Sequence, residues 1–362
     1  MYFVISNYEN KEMKIAFVYS SKEGMAAWWR RLQREENLGE EQEPPPDWLA
    51  ECDTQETIEA IREALAERWE VIPIESDDQA YDRLRDCRAD LVFNIAEGIS
   101  GPNREAYIPT ICEMLNLPYT GSDPLTLSLC LDKSRAKEIL SFYSIPNPKF
   151  WILDGRQDGW REIEFPSIVK PLYEGSSKGI RDNSVVRNLE ELKVKVHEIV
   201  DWYKQPALVE KFLSGREFTV GVLGNLPDLE ILPIIEIDHR YLPAGANPIY
   251  SYEAKWIWDR PEHPLPLFQC PARISAELKA RIEEVVVRTW QVLRIRDWCR
   301  MDLRLDESGE PNILEVNPLP GILPRPEDNS CLPKAARTAG YSYAGLIQRV
   351  VEIACRRYGL KA

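Results

Sequence analysis

Arg300-Met301-Asp302-Leu303-Arg304-Leu305 and Asn312-Ile313-Leu314-Glu315-Val316-Asn317 are the two stretches that decide how this 362-residue chain folds. Both alternate polar with apolar residues. The period-two geometry of a strand puts Arg300 and Asp302 on one face, and Glu315 and Asn317 on one face of the next. With 307–310 as the connecting loop, Asp302 lies opposite Glu315, and two carboxylates converge beside an amide oxygen. Hard oxygen ligands of this kind suit magnesium carrying nucleotide phosphates. A solvated hairpin face would alternate in the same way. What sets this one apart is Leu314-Glu315-Val316-Asn317-Pro318-Leu319-Pro320-Gly321, where the polar pair sits among apolar residues and a rigid turn comes next.

Upstream, Ile168-Val169-Lys170-Pro171-Leu172-Tyr173-Glu174-Gly175-Ser176-Ser177-Lys178-Gly179 places a lysine at a strand end and then a loop of small residues. Unhindered backbone N–H groups and serine hydroxyls in such a loop can close over phosphate oxygens. Gly-Lys-Ser/Thr opening a helix is absent, so this is not a Walker-type loop, and its composition alone also suits an ordinary turn. Strands rich in Ile, Val, Phe and Leu are expected at 150–153, 167–170, 207–212 and 217–223, with an amphipathic helix over 189–203. These give an antiparallel, α+β lobe. The tail reads as a helix over 274–293, the 300–317 hairpin, and a helix over 346–357.

Nearer the start, strands at 14–19, 71–74 and 91–95 alternate with helices at 57–68 and 80–87. That β-α-β-α-β order implies a parallel α/β sheet with its loops at the strands' carboxyl ends. Between them, residues 30–54 include an acidic, proline-rich run that can neither bury apolar area nor continue a helix. We therefore expect an exposed, mobile loop over 30–54. The chain divides into an N-terminal α/β domain (1–131), a central lobe (132–216) and a C-terminal lobe carrying the hairpin (217–362).

A formal charge of −14 disfavours nucleic acid and anionic lipid as partners. No apolar run is long enough to cross a bilayer, and the first dozen residues do not read as a secretory signal. Eight cysteines without a Cys-x-x-Cys pair, and three histidines, argue against structural zinc and for reduced thiols in a cytoplasmic protein.

Taken together, 168–180, 208–219, Tyr252-Glu253-Ala254-Lys255, 300–305 and 314–321 resemble the successive motifs of the ATP-grasp ligases, most closely D-alanine:D-alanine ligase. Pro118-Tyr119-Thr120-Gly121-Ser122 and Leu131-Asp132-Lys133 match the same family. The resemblance implies an ATP-grasp fold, in which two lobes clamp ATP behind a parallel-sheet domain. It also implies an ADP-forming ligase that joins a small carboxylate to an amine through an acyl phosphate, the pair being amino acids or small peptides, with a homodimer suggested by the family. Lys133 and Lys170 would contact the phosphates under a loop formed by Glu174, Gly175, Ser176 and Ser177. Glu210, Lys211 and Leu213 would line the adenine hinge, Glu217 the ribose, and Lys255 would reach the phosphates from a second loop, 244–258. Asp302, Glu315 and Asn317 would hold two magnesium ions, or manganese in their place. Arg300 would steady the phosphoryl group and the tetrahedral intermediate, the Gly321 N–H would help form an oxyanion site, and Ser176 keeps its family identity.

The substrate end departs from the family pattern. The loop after the first strand is Ser20-Ser21-Lys22-Glu23-Gly24, where the family carries a glycine-rich loop with a glutamate for the first amino group. Glu97 stands in place of a histidine, Trp256 in place of a tyrosine, and Ser330 matches a serine that holds the second substrate's carboxylate. Glu97, Arg104 and Glu105 fit either a substrate role or a structural ion-pair group. A carboxylate in place of an imidazole favours a cationic or amine-bearing group. A small-molecule kinase and a nucleotide-binding module without turnover are the alternatives that an ATP-grasp scaffold leaves open.

Overall fold

Three sheets emerge from these patterns in the computed structural model, which describes residues 13–35, 47–98, 100–155, 160–260 and 262–362. In the first, β1 (Lys14–Tyr19) lies between β2 (Glu70–Glu75) and β3 (Leu91–Asn94), all parallel. Its side chains alternate between two cores. Ile15 and Phe17 join Ile58, Ile61 and Leu65 of the helix Gln55–Ala66, while Ala16 and Val18 join Ala80 and Leu84 of the helix Ala80–Asp86. A parallel strand covered on both faces has to be apolar throughout, which is why its sequence is a continuous apolar run. The helix Gln55–Ala66 starts at Thr54, whose hydroxyl accepts from the Thr57 N–H.

The second sheet has β4 (Phe150–Leu153), β5 (Ser167–Pro171), β6 (Val185–Val186) and β7 (Ala207–Lys211) in the order β4-β7-β5-β6, antiparallel. Leu192, Val196 and Ile199 of the helix Leu189–Tyr203 pack on Val169 and Val209 beneath it. The third sheet runs β11 (Phe268–Gln269), β10 (Ile235–Ile237), β8 (Glu217–Asn225), β12 (Asp297–Leu305), β13 (Pro311–Asn317), with β9 (Asp228–Ile231) also paired to β8. One face of it takes Ile282, Val286 and Trp290 of the helix Ala276–Leu293 against Val220, Met301 and Leu303. The other face, through Leu223 and Trp298, shares a core with the helix Tyr343–Tyr358 and with Ile58 and Ile61 of the N-terminal domain. The first and third sheets are therefore fixed to one another by a common apolar core. Truncating a fully buried member of it such as Leu346 or Val350 would cost about 2–5 kcal/mol.

One local irregularity sets where the hairpin carboxylates point. Leu305 pairs with Pro311 and Leu303 with Ile313, a register that would carry Asp302 opposite Leu314. A bulge between Asp302 and Leu303 takes up Leu314, so Asp302 faces Glu315 and Arg300 faces Asn317.

The expectation of an exposed loop over 30–54 is corrected. Residues 30–35 complete the helix Lys22–Glu35, and residues 36–46 lie outside the described residues. Residues 47–53 turn inward, and Asp47, Glu51 and Cys52 are buried. The proline run misled the reading. Just after it, Trp48 packs on Trp29 with ring centroids 5.6 Å apart, and Asp47 and Glu51 meet cations instead of solvent.

Candidate active site

A cleft of about 430 Å³ runs between the sheets, with Asp302 and Glu315 in its wall. The bulged hairpin sets out the carboxylates. Asp302 accepts from Arg300 Nε and Nη2 at 3.2 and 2.9 Å and from Asn317 Nδ2 at 3.3 Å, while Glu315 pairs with Lys133 Nζ at 3.0 Å. Burial raises the Glu315 carboxyl, but Lys133 and Lys170 outweigh it and hold it down at about 2. Lys133 opens the helix Lys133–Phe142, whose N-cap Asp132 accepts from the N–H groups of Ser134 and Arg135. Lys170, at the end of β5, pairs at 2.6 Å with Glu210 at the end of β7, and Lys137 pairs with the same carboxylate.

Among the described residues no group of three or more His, Cys, Asp or Glu side chains could hold a metal by itself. Two carboxylates and one amide oxygen instead fit magnesium that arrives with phosphate oxygens to complete its shell, the usual habit of this ion. Asn317 suits that role because its Nδ2 is spent on Asp302, leaving Oδ1 as a ligand.

Over this end lies the loop 174–179. Ser176 and Ser177 both take left-handed backbone conformations, φ 49° and 60°, which non-glycine residues hold only when their surroundings enforce it. Here the Ser177 hydroxyl donates to the Tyr250 carbonyl at 3.0 Å, and Trp256 Nε1 donates to the Ser176 carbonyl at 3.4 Å. Lys255 Nζ comes within 3.5 Å of Ser176 Oγ. Lys255 and Trp256 belong to a single π-helical turn, Ala254–Trp258, so the loop 174–179 and the second loop, 244–258, touch. Burial, and next the Arg300 charge, lower the Lys255 ammonium. Lys211, Leu213 and Glu217 also line the cleft, and Glu217 accepts from His239 Nε2 at 2.9 Å and from Arg304 Nη1 at 3.0 Å.

The substrate-side candidates divide. Glu97, Trp256, Gly321 and Ser330 line the cleft. Ser330 Oγ accepts from the Leu323 N–H and donates to the Gly321 carbonyl, both at 3.2 Å, shaping the turn 321–330. Arg104 does not line it. Its guanidinium is committed to Glu51, at 2.8 Å to each carboxylate oxygen, and to the Tyr173 carbonyl at 2.8 Å. Of the two readings that the sequence left for Arg104, the geometry supports the ion-pair group. Lys133 and Asn317 also lie just behind the lining, where they contact Glu315 and Asp302.

Sequence reasoning missed Glu51, Cys52 and Asp53, which line the cleft from segment 47–53. The signal available was Trp48-Leu49-Ala50, apolar residues out of place in an exposed acidic loop. Asp53 is anchored by backbone hydrogen bonds to Ser20 and Lys22 beside the end of β1. Its Oδ2 is buried without a partner, and burial pushes the carboxyl up to about 8. Burial and the Glu51, Glu105 and Asp53 carboxylates push Glu97 well above the usual range, and Glu105, behind it, rises to about 7 mainly through burial. Among the described residues none of these three is ion-paired.

Comparison with known proteins agrees with this geometry. Residues 154–352 match the family model described as the C-terminus of D-ala D-ala ligase. The chain is 37% identical over 268 residues to the uncharacterised protein y4sG of Sinorhizobium fredii, covering 74% of this chain and 75% of that protein. It is 32% identical over 304 residues to D-alanine--D-alanine ligase of Desulforudis audaxviator, covering 82% and 92%. The crystal structure of D-alanine--D-alanine ligase from Bacillus anthracis complexed with ATP superposes with a TM-score of 0.66 at 21% identity, over 96% of this chain and 98% of that one, a likeness of fold. The chain belongs to the D-alanine--D-alanine ligase family and has its ATP-grasp fold.

Proposed function

We propose that this protein is an ADP-forming carboxylate–amine ligase whose substrate end is adapted to a cationic group. The observation that carries the reading is the convergence of Arg300, Asp302, Glu315 and Asn317 with Lys133 and Lys170 at the wall of a cleft that Asp53 and Glu97 also line. A carboxylate is a poor electrophile. Transfer of the γ-phosphoryl group of ATP to one of its oxygens makes an acyl phosphate and releases ADP, and attack by a neutral amine then forms the amide, expels phosphate and sheds a proton.

Both steps need positioning and charge stabilisation more than a nucleophilic side chain. Lys170, Lys133 and Lys255 supply cations for the phosphates, and Arg300 faces the oxygens that gain charge. Magnesium held by Asp302, Glu315 and Asn317 would add charge neutralisation. Loop 174–179 and the turn around Trp256 exclude water, which would otherwise hydrolyse the intermediate. Glu97 and Asp53 receive the substrate's ammonium. A cation there lowers the cost of ionising two buried carboxyls, and they in turn orient the acid for phosphorylation. Ser330 and Gly321 flank the second substrate, and the free thiols of all eight cysteines suit the cytoplasm.

The test is a phosphate-release screen over pairs of amino acids and small carboxylates, with mass spectrometry of the products. A new amide accompanied by ADP is expected. A phosphorylated hydroxyl compound, with no acid consuming ATP, would replace the ligase by a kinase.

A further inference from the structure

The loop 174–179 is held from across the cleft by a segment remote from it in sequence. Glu51 accepts from the Gly175 N–H, from Lys178 Nζ at 3.1 Å and from Arg104 Nη2 at 2.8 Å. Asp47 accepts from the Gly179 N–H at 3.0 Å and, through both oxygens, from the Tyr203 hydroxyl at 2.9 and 2.8 Å. The two carboxylates thus grip the first and last glycines of the loop, and Glu51 and Asp47 are 6% and 2% exposed. The first grip depends on glycine, since a Cβ at Gly175 would lie 2.7 Å from Glu51 Oε1. The same segment is tied to the N-terminal domain where the Asp53 N–H donates to Ser20 O at 2.8 Å and the Lys22 N–H donates to Asp53 O at 3.1 Å. Charge-assisted bonds of buried carboxylates are strong, and removing one partner leaves the others unpaired in a dry site. Hinging the loop away therefore requires breaking both grips or moving the segment with it.

We propose that residues 47–53 form a strap in which Asp47 and Glu51 are positioning residues, holding the loop 174–179 closed over the nucleotide phosphates from the N-terminal domain. The proposal rests on the reading of that loop as a phosphate cover. It makes closure of the loop a property of the strap as well as of the nucleotide, and it places Asp53 on the same short segment, so the substrate wall and the phosphate cover move as one piece.

The experiment measures amide hydrogen exchange in the peptide spanning 172–182, together with binding of MgATP and of adenosine, in the full chain and in Glu51→Gln and Tyr203→Phe. Exchange in that peptide should accelerate at least tenfold in Glu51→Gln and less in Tyr203→Phe. Binding of MgATP should weaken at least fivefold while adenosine, which has no phosphates to be covered, binds as before. A merely structural contribution would move both ligands together. Unchanged loop exchange in Glu51→Gln, with the helix Ala276–Leu293 still protected, overturns the proposal. If Glu51→Gln loses protection everywhere, Tyr203→Phe decides: acceleration confined to 172–182 supports the strap and its absence overturns it. Faster loop exchange in a protein that MgATP neither binds nor protects would leave the strap standing and remove the ATP reading.

Discussion

Two sets of carboxylates in and behind the cleft wall are built on opposite electrostatic plans. In the first set, proposed to face the phosphates, carboxylates are matched by cations: Asp302 by Arg300, Glu315 by Lys133, and Glu210 by Lys137 and Lys170. In the second set Asp53, Glu97 and Glu105 have no ion-pair partner among the described residues, and Lys22 is the nearby cation that lowers Asp53. A balanced network is stable without a ligand and can be re-partitioned when metal and phosphates arrive. An unbalanced one keeps its carboxyls protonated, and a cationic ligand is what makes their ionisation favourable, so it selects for that ligand. Of the departures from the family pattern, Glu97 belongs to the second set, while Trp256 touches the 174–179 loop.

The sharpest way to break this comparison is to remove a metal-end carboxylate. Asp302→Ala or Glu315→Ala should lower kcat by roughly 10³-fold, the several kcal/mol expected of a lost metal contact, with an unchanged circular dichroism spectrum. Activity within a factor of a few of the parent would remove the metal assignment. Next in size, Asp53→Asn should raise KM for the amine-bearing substrate about tenfold, the worth of one charge-assisted hydrogen bond, and leave KM for ATP alone. An effect on ATP instead would assign Asp53 to the nucleotide site. Exchanging Glu97→His together with Trp256→Tyr should then shift the preference among substrate pairs by about tenfold, read as a ratio of kcat/KM values, without weakening ATP binding.

The smallest effect is on stability. Asp53 and Glu105, with pKa values of about 8 and 7, and Glu97, raised well above its usual range, hold protons in the folded state that the unfolded chain gives up at lower pH. For these three groups the native state binds more protons, so the stability they contribute is fully present below the unfolded pKa values near 4 and is lost as pH rises towards 8. The ligand-free protein should lose a few degrees of Tm between pH 5 and pH 8, and Asp53→Asn should recover part of the loss at pH 8. A Tm that rises over this interval would mean that these carboxyls are paired after all.

Much of the phosphate end was legible in the sequence. Arg300, Asp302, Glu315 and Asn317 lie close together along the chain, and strand alternation alone brings them onto shared faces, with Asp302 opposite Glu315 as expected. The bulge at Leu314 that produces this pairing was not legible, because a one-residue slip leaves no mark on a period-two pattern. Arg104 could be read two ways, since its partner Glu51 is 53 residues away. The strap was missed altogether, its proline-rich approach having the composition of an exposed loop.

By itself the sequence determined the parallel N-terminal sheet, most of the longer strands and helices, the 300–317 hairpin and the succession of nucleotide-binding motifs. Those are consequences of local periodicity, and burial of apolar side chains repeats every two or 3.6 residues wherever a strand or helix packs. The sequence grouped strand 217–223 with 150–212, whereas the structure pairs it in the third sheet. Only the tertiary structure decided which carboxylates are neutralised and which remain unpaired, and that residues 47–53 close onto a loop more than 120 residues further along. Ion pairing and desolvation depend on distance in space and on the exclusion of water. Neither leaves a period in the sequence.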